Sequence, residues 1–426
     1  MTRETAREAF RDRFDASATV VAVAPGRVNL VGGHVDYNDG VVLPAPIDRT
    51  IAVAGRARAD DRLRVHSVAT DETVSGRVGE TPDGWAAYPF GTAVAYYESD
   101  ESDTADARGS DVDESSTHES AGSGPSSNAT RATGAAGATD ETGETDGVVG
   151  ADLLVASDVP MGAGVSSSAA FSVATAGALD ALADGGRSRA ELADVAWRGE
   201  TQYAGTDCGI MDQTASACGR EGHALRIDCR DRTTEPVPVP DDAGLLVLDT
   251  TVRHELSEDG FNDRVAECRE AAARLDAVLD RSITSLRDVT PEEVGRHARD
   301  VGEPYASRAR HVTTELGRVE AAVAALRDGE TARLGALMSA AHRSLADDYD
   351  VSCPELESAV AAFESQSAVA GARMVGGGWG GSVVAVVDPT ETASVARTAA
   401  EEQTAATGIE PDVYPVAVGD GLRVHR

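Results

Sequence analysis

Apolar residues recur along this chain in two rhythms. Short Val- and Leu-rich runs at 19–24, 40–43, 50–54, 62–68 and 152–156 predict strands, and the same character returns at 223–228, 244–249 and 382–387. Spacings of three and four predict helices. Val265, Cys268, Ala272, Leu275 and Leu279 form one stripe, Val312, Leu316, Val319, Val323 and Leu326 a second, and Leu334, Leu337, Met338, Ala341 and Leu345 a third. Strands and helices mixed on this scale imply an α+β protein, with helices on one side of antiparallel sheets. A chain of 426 residues is long for one core, and domains of roughly 100–200 residues favour two. Residues 98–147 break the pattern. They are mostly Ser, Thr, Gly, Ala, Asp and Glu, with Val112 the one large aliphatic residue, which predicts a disordered loop.

Charge narrows the function. There are 38 basic residues, every one arginine, against 72 acidic ones, a net charge of −34. Nucleic acid and anionic membrane surfaces both require a basic face, so neither is an expected partner. The 98–147 segment holds 13 acidic groups against Arg108 and Arg131, so most of the excess lies elsewhere in the chain. Self-repulsion on this scale is relieved by concentrated salt, whose Debye length is about 3 Å at 1 M, and the composition suits a salt-rich, halophilic cytoplasm. No apolar run approaches the roughly 18 residues of a membrane span. Residues 1–15 are charged and lack a signal peptide's apolar core, so a cytoplasmic location is expected. Cys208, Cys218, Cys229, Cys268 and Cys353 show no C-x-x-C or zinc spacing and are expected to be small buried hydrophobes.

Four segments carry candidate chemistry. Pro160 to Ala170, P-M-G-A-G-V-S-S-S-A-A, follows a strand and opens an Ala-rich helix. It is either a glycine turn whose N–H groups face a phosphate or a plain serine-capped helix, and it is not a Walker loop. Ala24 to Gly40 crowds Arg27, Asn29, His34 and Asp36 between glycines, which suits a polyol such as a sugar or an ordinary polar hairpin. Cys208 to Gln213, C-G-I-M-D-Q, sets Asp212 among apolar residues and glycine, with Glu200 upstream on a predicted helix. A partly buried aspartate must find a partner, and Arg27 is the candidate. Beside a phosphate turn such a pair fits phosphoryl transfer, and elsewhere it is a structural ion pair. Gly376 to Gly381, G-G-G-W-G-G, implies close backbone approach to a ligand or another loop, or else a flexible turn.

Together these segments resemble the GHMP kinases, and within them the galactokinases, from about Thr19 to the C-terminus with 98–147 as an insertion. The shared motifs are G-R-V-N-L-V-G-x-H-x-D-Y-N, P-x-G-x-G-V-S-S-S-A-A, G-I-M-D-Q and G-G-G-W-G-G, supported by V-R-H-E-L at 252–256 and the segment 345–356. The resemblance implies a two-lobed α+β fold with mixed or antiparallel sheets, lobes at 1–215 and 216–426, and the active site between them. It implies transfer of the γ-phosphoryl of MgATP to the anomeric hydroxyl of galactose. Gly162, Ala163, Gly164, Val165, Ser166, Ser167 and Ser168 would wrap the ATP phosphates, with Ser67 near the nucleotide. Ser168 and Glu200 would hold Mg2+, Asp212 would be the catalytic base and Arg27 the transition-state stabiliser. Gly33, His34, Val35, Asp36 and Phe261 would meet the sugar, and a monomer is expected.

Two positions depart from the family pattern. Gly33 stands where galactokinases carry Glu, and Phe261 where they carry a sugar-binding Tyr. Each loss removes a polar contact worth roughly 1 kcal/mol. Loss of a carboxylate at Gly33 would relieve repulsion against a sugar with its own carboxylate, such as galacturonate, although the sugar motif supplies no new cation to pair with it. A non-catalytic sugar and ATP sensor on the same fold is a further alternative, against which the intact Arg27, Asp212, Ser168 and Glu200 argue.

Overall fold

A computed structural model describes residues 3–108, 149–253 and 257–426, with backbone alone at 99–108 and 257–259. The N-terminal part runs α1 (Arg3–Phe14), β1 (Val20–Val31), β2 (Val41–Ala57), β3 (Arg62–Ser67), β4 (Glu72–Arg77), α2 (Ala87–Arg108), β5 (Ala151–Ser157), α3 (Ser167–Leu182), α4 (Arg189–Arg198) and α5 (Met211–Cys218). It continues through β6 (His223–Asp228), β7 (Thr233–Pro238) and β8 (Gly244–Arg253) into the helices α6 (Ser257–Val278), α7 (Pro291–Val301), α8 (Tyr305–Arg327), α9 (Thr331–Asp347) and α10 (Pro354–Glu364). The chain closes with β9 (Val369–Val375), β10 (Gly380–Val387), α11 (Thr392–Thr407), β11 (Asp412–Val416) and β12 (Arg423–His425).

Two sheets organise these elements. The first has the order β12-β1-β2-β5-β3-β4, with β6 on β2 and β7 on β6; the second is β11-β8-β10-β9. Strands β6, β7 and β12 lie beyond residue 215 yet join the first sheet, so the two sheets do not part at a single point in the chain. All strand pairs are antiparallel except β3 with β5, which makes the first sheet mixed.

Helices flank the first sheet on both faces, not on one as the sequence suggested. Side chains alternate across a strand, and β1 sends Val20, Ala22 and Ala24 into the core beneath α3 while Val21 and Val23 meet Ala6 and Phe10 of α1. A strand buried on both faces shows a continuous apolar run, which hides that it has two sides.

The predicted short strands at 40–43 and 50–54 are one strand, β2. Pro44 and Pro46 break the sequence pattern but sit opposite Asn29 and Arg27, where the β1–β2 register slips, so the missing N–H groups fall at irregular positions of the ladder. The expected loop at 98–147 also needs correction at its start, because α2 runs through Arg108. Phe90, Ala93 and Tyr96 bury one face of that helix, and adding turns to a nucleated helix costs less than starting one. The remainder of the insertion, 109–148, lies outside the described residues, as do 254–256 of the V-R-H-E-L motif. All five cysteines are free; Cys229 and Cys268 are buried and the others half-buried.

Candidate active site

The site lies where β1, the turn before α3, the start of α5 and the glycine loop between β9 and β10 converge. A bulge in β1 between Pro25 and Arg27 re-aims Arg27 toward α5. Its guanidinium grips Asp212 with two parallel bonds, Nε to Oδ1 and Nη2 to Oδ2, each 2.7 Å, and Nη1 donates to the Gly164 carbonyl at 2.7 Å. Arg27 is buried, whereas the Asp212 side chain keeps 26% of its surface open to the cavity. Asp212 sits in the first turn of α5, where the helix N-terminus favours a negative charge.

The alternative of a plain serine-capped helix is not what is observed. Ser166 precedes α3 with φ 59° and makes no cap bond; its hydroxyl instead donates to Asp212 Oδ2 in a short contact. Sequence reasoning placed Ser166 on the phosphates and missed this link, which depends on a left-handed backbone that a serine rarely adopts.

The glycine turn is fixed by close backbone approach. A Cβ at Gly164 would come within 2.8 Å of the Val375 carbonyl, and one at Gly376 within 2.7 Å of Gly164 Cα. Ser382 Oγ donates to the Ala163 carbonyl at 2.6 Å, and Arg27 N to the Val165 carbonyl at 3.0 Å. The side chains of Ala163 and Val165 are in the core, so only their backbone can face a ligand. Of the outcomes open for G-G-G-W-G-G, close approach to another loop is observed at Gly376. Arg253, given no role in the sequence, lies over Gly162 and forks onto Asp249.

Glu200 lies in a π-helical turn, Gly199–Tyr203, and is buried. Burial raises its pKa to about 7, opposed by hydrogen bonds from Gln213, whose Nε2 donates at 2.9 Å, and from Ser168. The Gln213 Oε1 atom is buried with no partner among the described residues. A carboxylate, a hydroxyl and an orphaned amide oxygen fit a hydrated divalent cation.

A cavity of about 180 Å³ is lined by Arg27, Gly33, His34, Asp36, Ser168, Glu200, Asp212, Phe261 and Arg373, among others. Asp36 packs against Gly209, where a Cβ would fall 2.4 Å from Oδ2. Burial and the nearby Asp212 charge raise the Asp36 pKa to about 6. His34 uses both ring nitrogens within the protein, Nδ1 with Tyr37 Oη at 2.9 Å and Nε2 with the Gly377 carbonyl at 3.1 Å, and burial lowers its pKa to about 3. The neutral ring ties the sugar motif to the glycine loop. Val35 does not reach the cavity; its side chain is wholly buried in the hydrophobic core, because strand-turn geometry points it away from its neighbours His34 and Asp36.

Beside the turn a second, apolar cavity of about 190 Å³ is lined by Ser67, Trp85, Tyr88, Met161, Ser167, Ser168 and Phe171, with Trp85 and Phe171 stacked at 6.5 Å. Only Ser67 and the serines of this wall were legible in the sequence, since aromatic residues this far apart carry no local pattern.

A bilobal α+β fold with a glycine-serine turn against an Arg–Asp pair defines a GHMP-type kinase. Residues 115–220 match the GHMP kinases N terminal domain, 322–405 the GHMP kinases C terminal domain, and 8–57 the galactokinase galactose-binding signature. The chain is 35% identical to a galactokinase of Roseiflexus sp. (strain RS-1), covering 98% of this chain and 95% of that one. It is 36% identical to a galactokinase of Streptomyces coelicolor, covering 98% and 97%. The structure of Lactococcus lactis galactokinase complexed with galactose superimposes with a TM-score of 0.83 at 28% identity, over 99% of both chains. The chain belongs to the galactokinase family, and its activity is ATP-dependent phosphorylation of a small-molecule sugar.

Proposed function

We propose that the enzyme transfers the γ-phosphoryl of ATP to the C1 hydroxyl of galactose, giving galactose 1-phosphate and ADP. One observation carries this: the Asp212 carboxylate, held by the Arg27 fork and the Ser166 hydroxyl, opens onto a polar cavity next to a glycine turn. The C1 oxygen attacks the γ-phosphorus in line, the bond to the β–γ bridging oxygen breaks, and the C1 proton passes to Asp212. Arg27 orients that carboxylate and meets the charge of the transferring group. The backbone of Gly162, Ala163, Gly164 and Val165, with Ser167 and Ser168, cradles the phosphates, and Arg253 faces them from the other side. Ser67, Trp85 and Phe171 line the slot for the base. Ser168 and Glu200 would hold Mg2+, which would supply positive charge to offset that of the phosphates. Asp36 accepts from sugar hydroxyls, with Gly33, His34 and Phe261 shaping the pocket.

The enzyme works as a monomer in a salt-rich cytoplasm. Among the described residues no helix is long and apolar enough to cross a membrane. The test is ADP release by the purified protein with MgATP in concentrated potassium chloride, over galactose, N-acetylgalactosamine, arabinose, glucuronate and glucose. Galactose is expected to lead. Silence on every sugar, with ATP still bound, would assign the fold to a sensor.

A further inference from the structure

We infer that Gly33 and Arg373 form a carboxylate-receiving corner of the sugar cavity, so that the enzyme accepts a C6-oxidised hexose, a hexuronate of galactose configuration, alongside the neutral sugar. This rests on the sugar-kinase function proposed above and specifies what its pocket reads. The sugar motif holds no cation other than Arg27, but the fold brings one in from β9. A Cβ at Gly33 would lie 2.4 Å from Arg373 Nη2, so the guanidinium fills the space that a side chain at 33 would occupy. Arg373 is only 2% exposed, and it lines the same cavity as Asp36 and Asp212.

Half of that guanidinium is spoken for. Nε donates to the Met374 carbonyl at 3.0 Å, and Nη1 reaches the Leu30 carbonyl at 3.4 Å and Glu315 Oε1 at 3.7 Å. Among the described residues Nη2 has no acceptor. Glu315 cannot supply one, because its Oε1 already takes the Gly32 and Gly33 N–H groups at 2.8 and 3.2 Å and its Oε2 the Arg318 Nε at 2.5 Å. Two arginines therefore share one carboxylate. His311 adds no negative charge, its ring nitrogens being used on the Gly33 carbonyl and Ser344 Oγ, each at 2.9 Å. No ion pair joins Arg373 to Asp36 or to Asp212, which Arg27 holds.

A buried guanidinium with an open edge requires a hydrogen-bond acceptor and favours a negative one, and the cavity that Arg373 lines can admit it. A sugar hydroxyl satisfies the hydrogen bond, but a carboxylate satisfies the charge as well. With the C1 hydroxyl at Asp212, a hexopyranose carries its C6 substituent within the same cavity, and the transfer step is unchanged because that carboxylate takes no part in it.

The test compares kcat/KM for galacturonate and galactose at one fixed potassium chloride concentration in wild type, Gly33→Glu and Arg373→Gln. In the wild type the two values are expected within about tenfold of each other. Gly33→Glu shifts the end of the Arg373 side chain from the space it fills and sets a carboxylate beside it, and should lower the galacturonate-to-galactose ratio about 100-fold or more, since the open edge is lost and a like charge faces the substrate. Arg373→Gln should lower the same ratio; because it also touches Glu315 and can fail to fold, Gly33→Glu is the deciding variant. A wild type that favours galactose by more than about 1,000-fold, with a ratio that Gly33→Glu does not move, overturns the corner and leaves Arg373 a packing residue. Should no sugar turn over at all, the kinase function fails on its own. Calorimetric binding of galacturonate to the wild type and its loss in Gly33→Glu then still decide the corner, and absence of that binding overturns it.

Discussion

Arg27 and Arg373 are both buried, both line the sugar cavity, and are used differently. Arg27 is saturated: both edges of its fork meet Asp212 and its third nitrogen meets a backbone carbonyl. Arg373 is held along one edge and open along the other. A saturated guanidinium fixes another group in place, whereas an open one waits for what enters. On the proposed reading the same residue type serves geometry at Asp212 and recognition at Gly33, and what separates them is the supply of acceptors around each.

The contrast breaks most sharply at the carboxylates. Asp212→Asn keeps the shape but removes the proton acceptor, and kcat should fall by about 1,000-fold or more with the thermal midpoint little changed. Glu315→Gln should do the opposite in kind. It strands Arg318 and Arg373 without a counter-charge and should cost about 3 kcal/mol of stability in a denaturant titration, since breaking a buried pair leaves an uncompensated ion. Equal loss of kcat and no loss of stability in Glu315→Gln would erase the distinction. Arg27→Lys keeps a charge but cannot form the fork, and an approximately 100-fold fall in kcat is expected, read by single-turnover kinetics.

The smallest effect is a titration. In the proposed role Asp36 accepts from sugar hydroxyls as a carboxylate, and burial, with the Asp212 charge, raises its pKa to about 6 while Arg27 opposes them. Activity present above that value should be lost as pH falls through it, by about tenfold per unit in kcat/KM. A profile flat from pH 7 to 5 would show that Asp36 does not carry the limb.

Much of the fold was written locally. Runs of Val and Leu gave β1, β2, β3, β5, β6, β8 and β10, and spacing gave α6, α8 and α9, whereas β4, β7, β9, β11 and β12 carried no run that stood out. What the sequence hid was set by tertiary context: the single strand through Pro44 and Pro46, the helix persisting past Tyr96, and a second helical face on the first sheet. At the site, Arg27 and Asp212 could be paired because each sits in a dense motif. The Ser166 bond to Asp212 needed a left-handed backbone, and the approach of Arg373 to Gly33 joins positions far apart in the chain, so neither left a local trace. Trp85 and Phe171 were equally silent, for the same reason.

The contact of Gly164 with Gly376 has a mechanical meaning. There the phosphate turn and the glycine loop abut with no side chain between them, and neither position accepts even a methyl group without displacing the other. Two backbones in direct contact cannot be squeezed together, so glycine at both positions sets how near the turn can stand to the loop, and a side chain at either would act as a wedge between them.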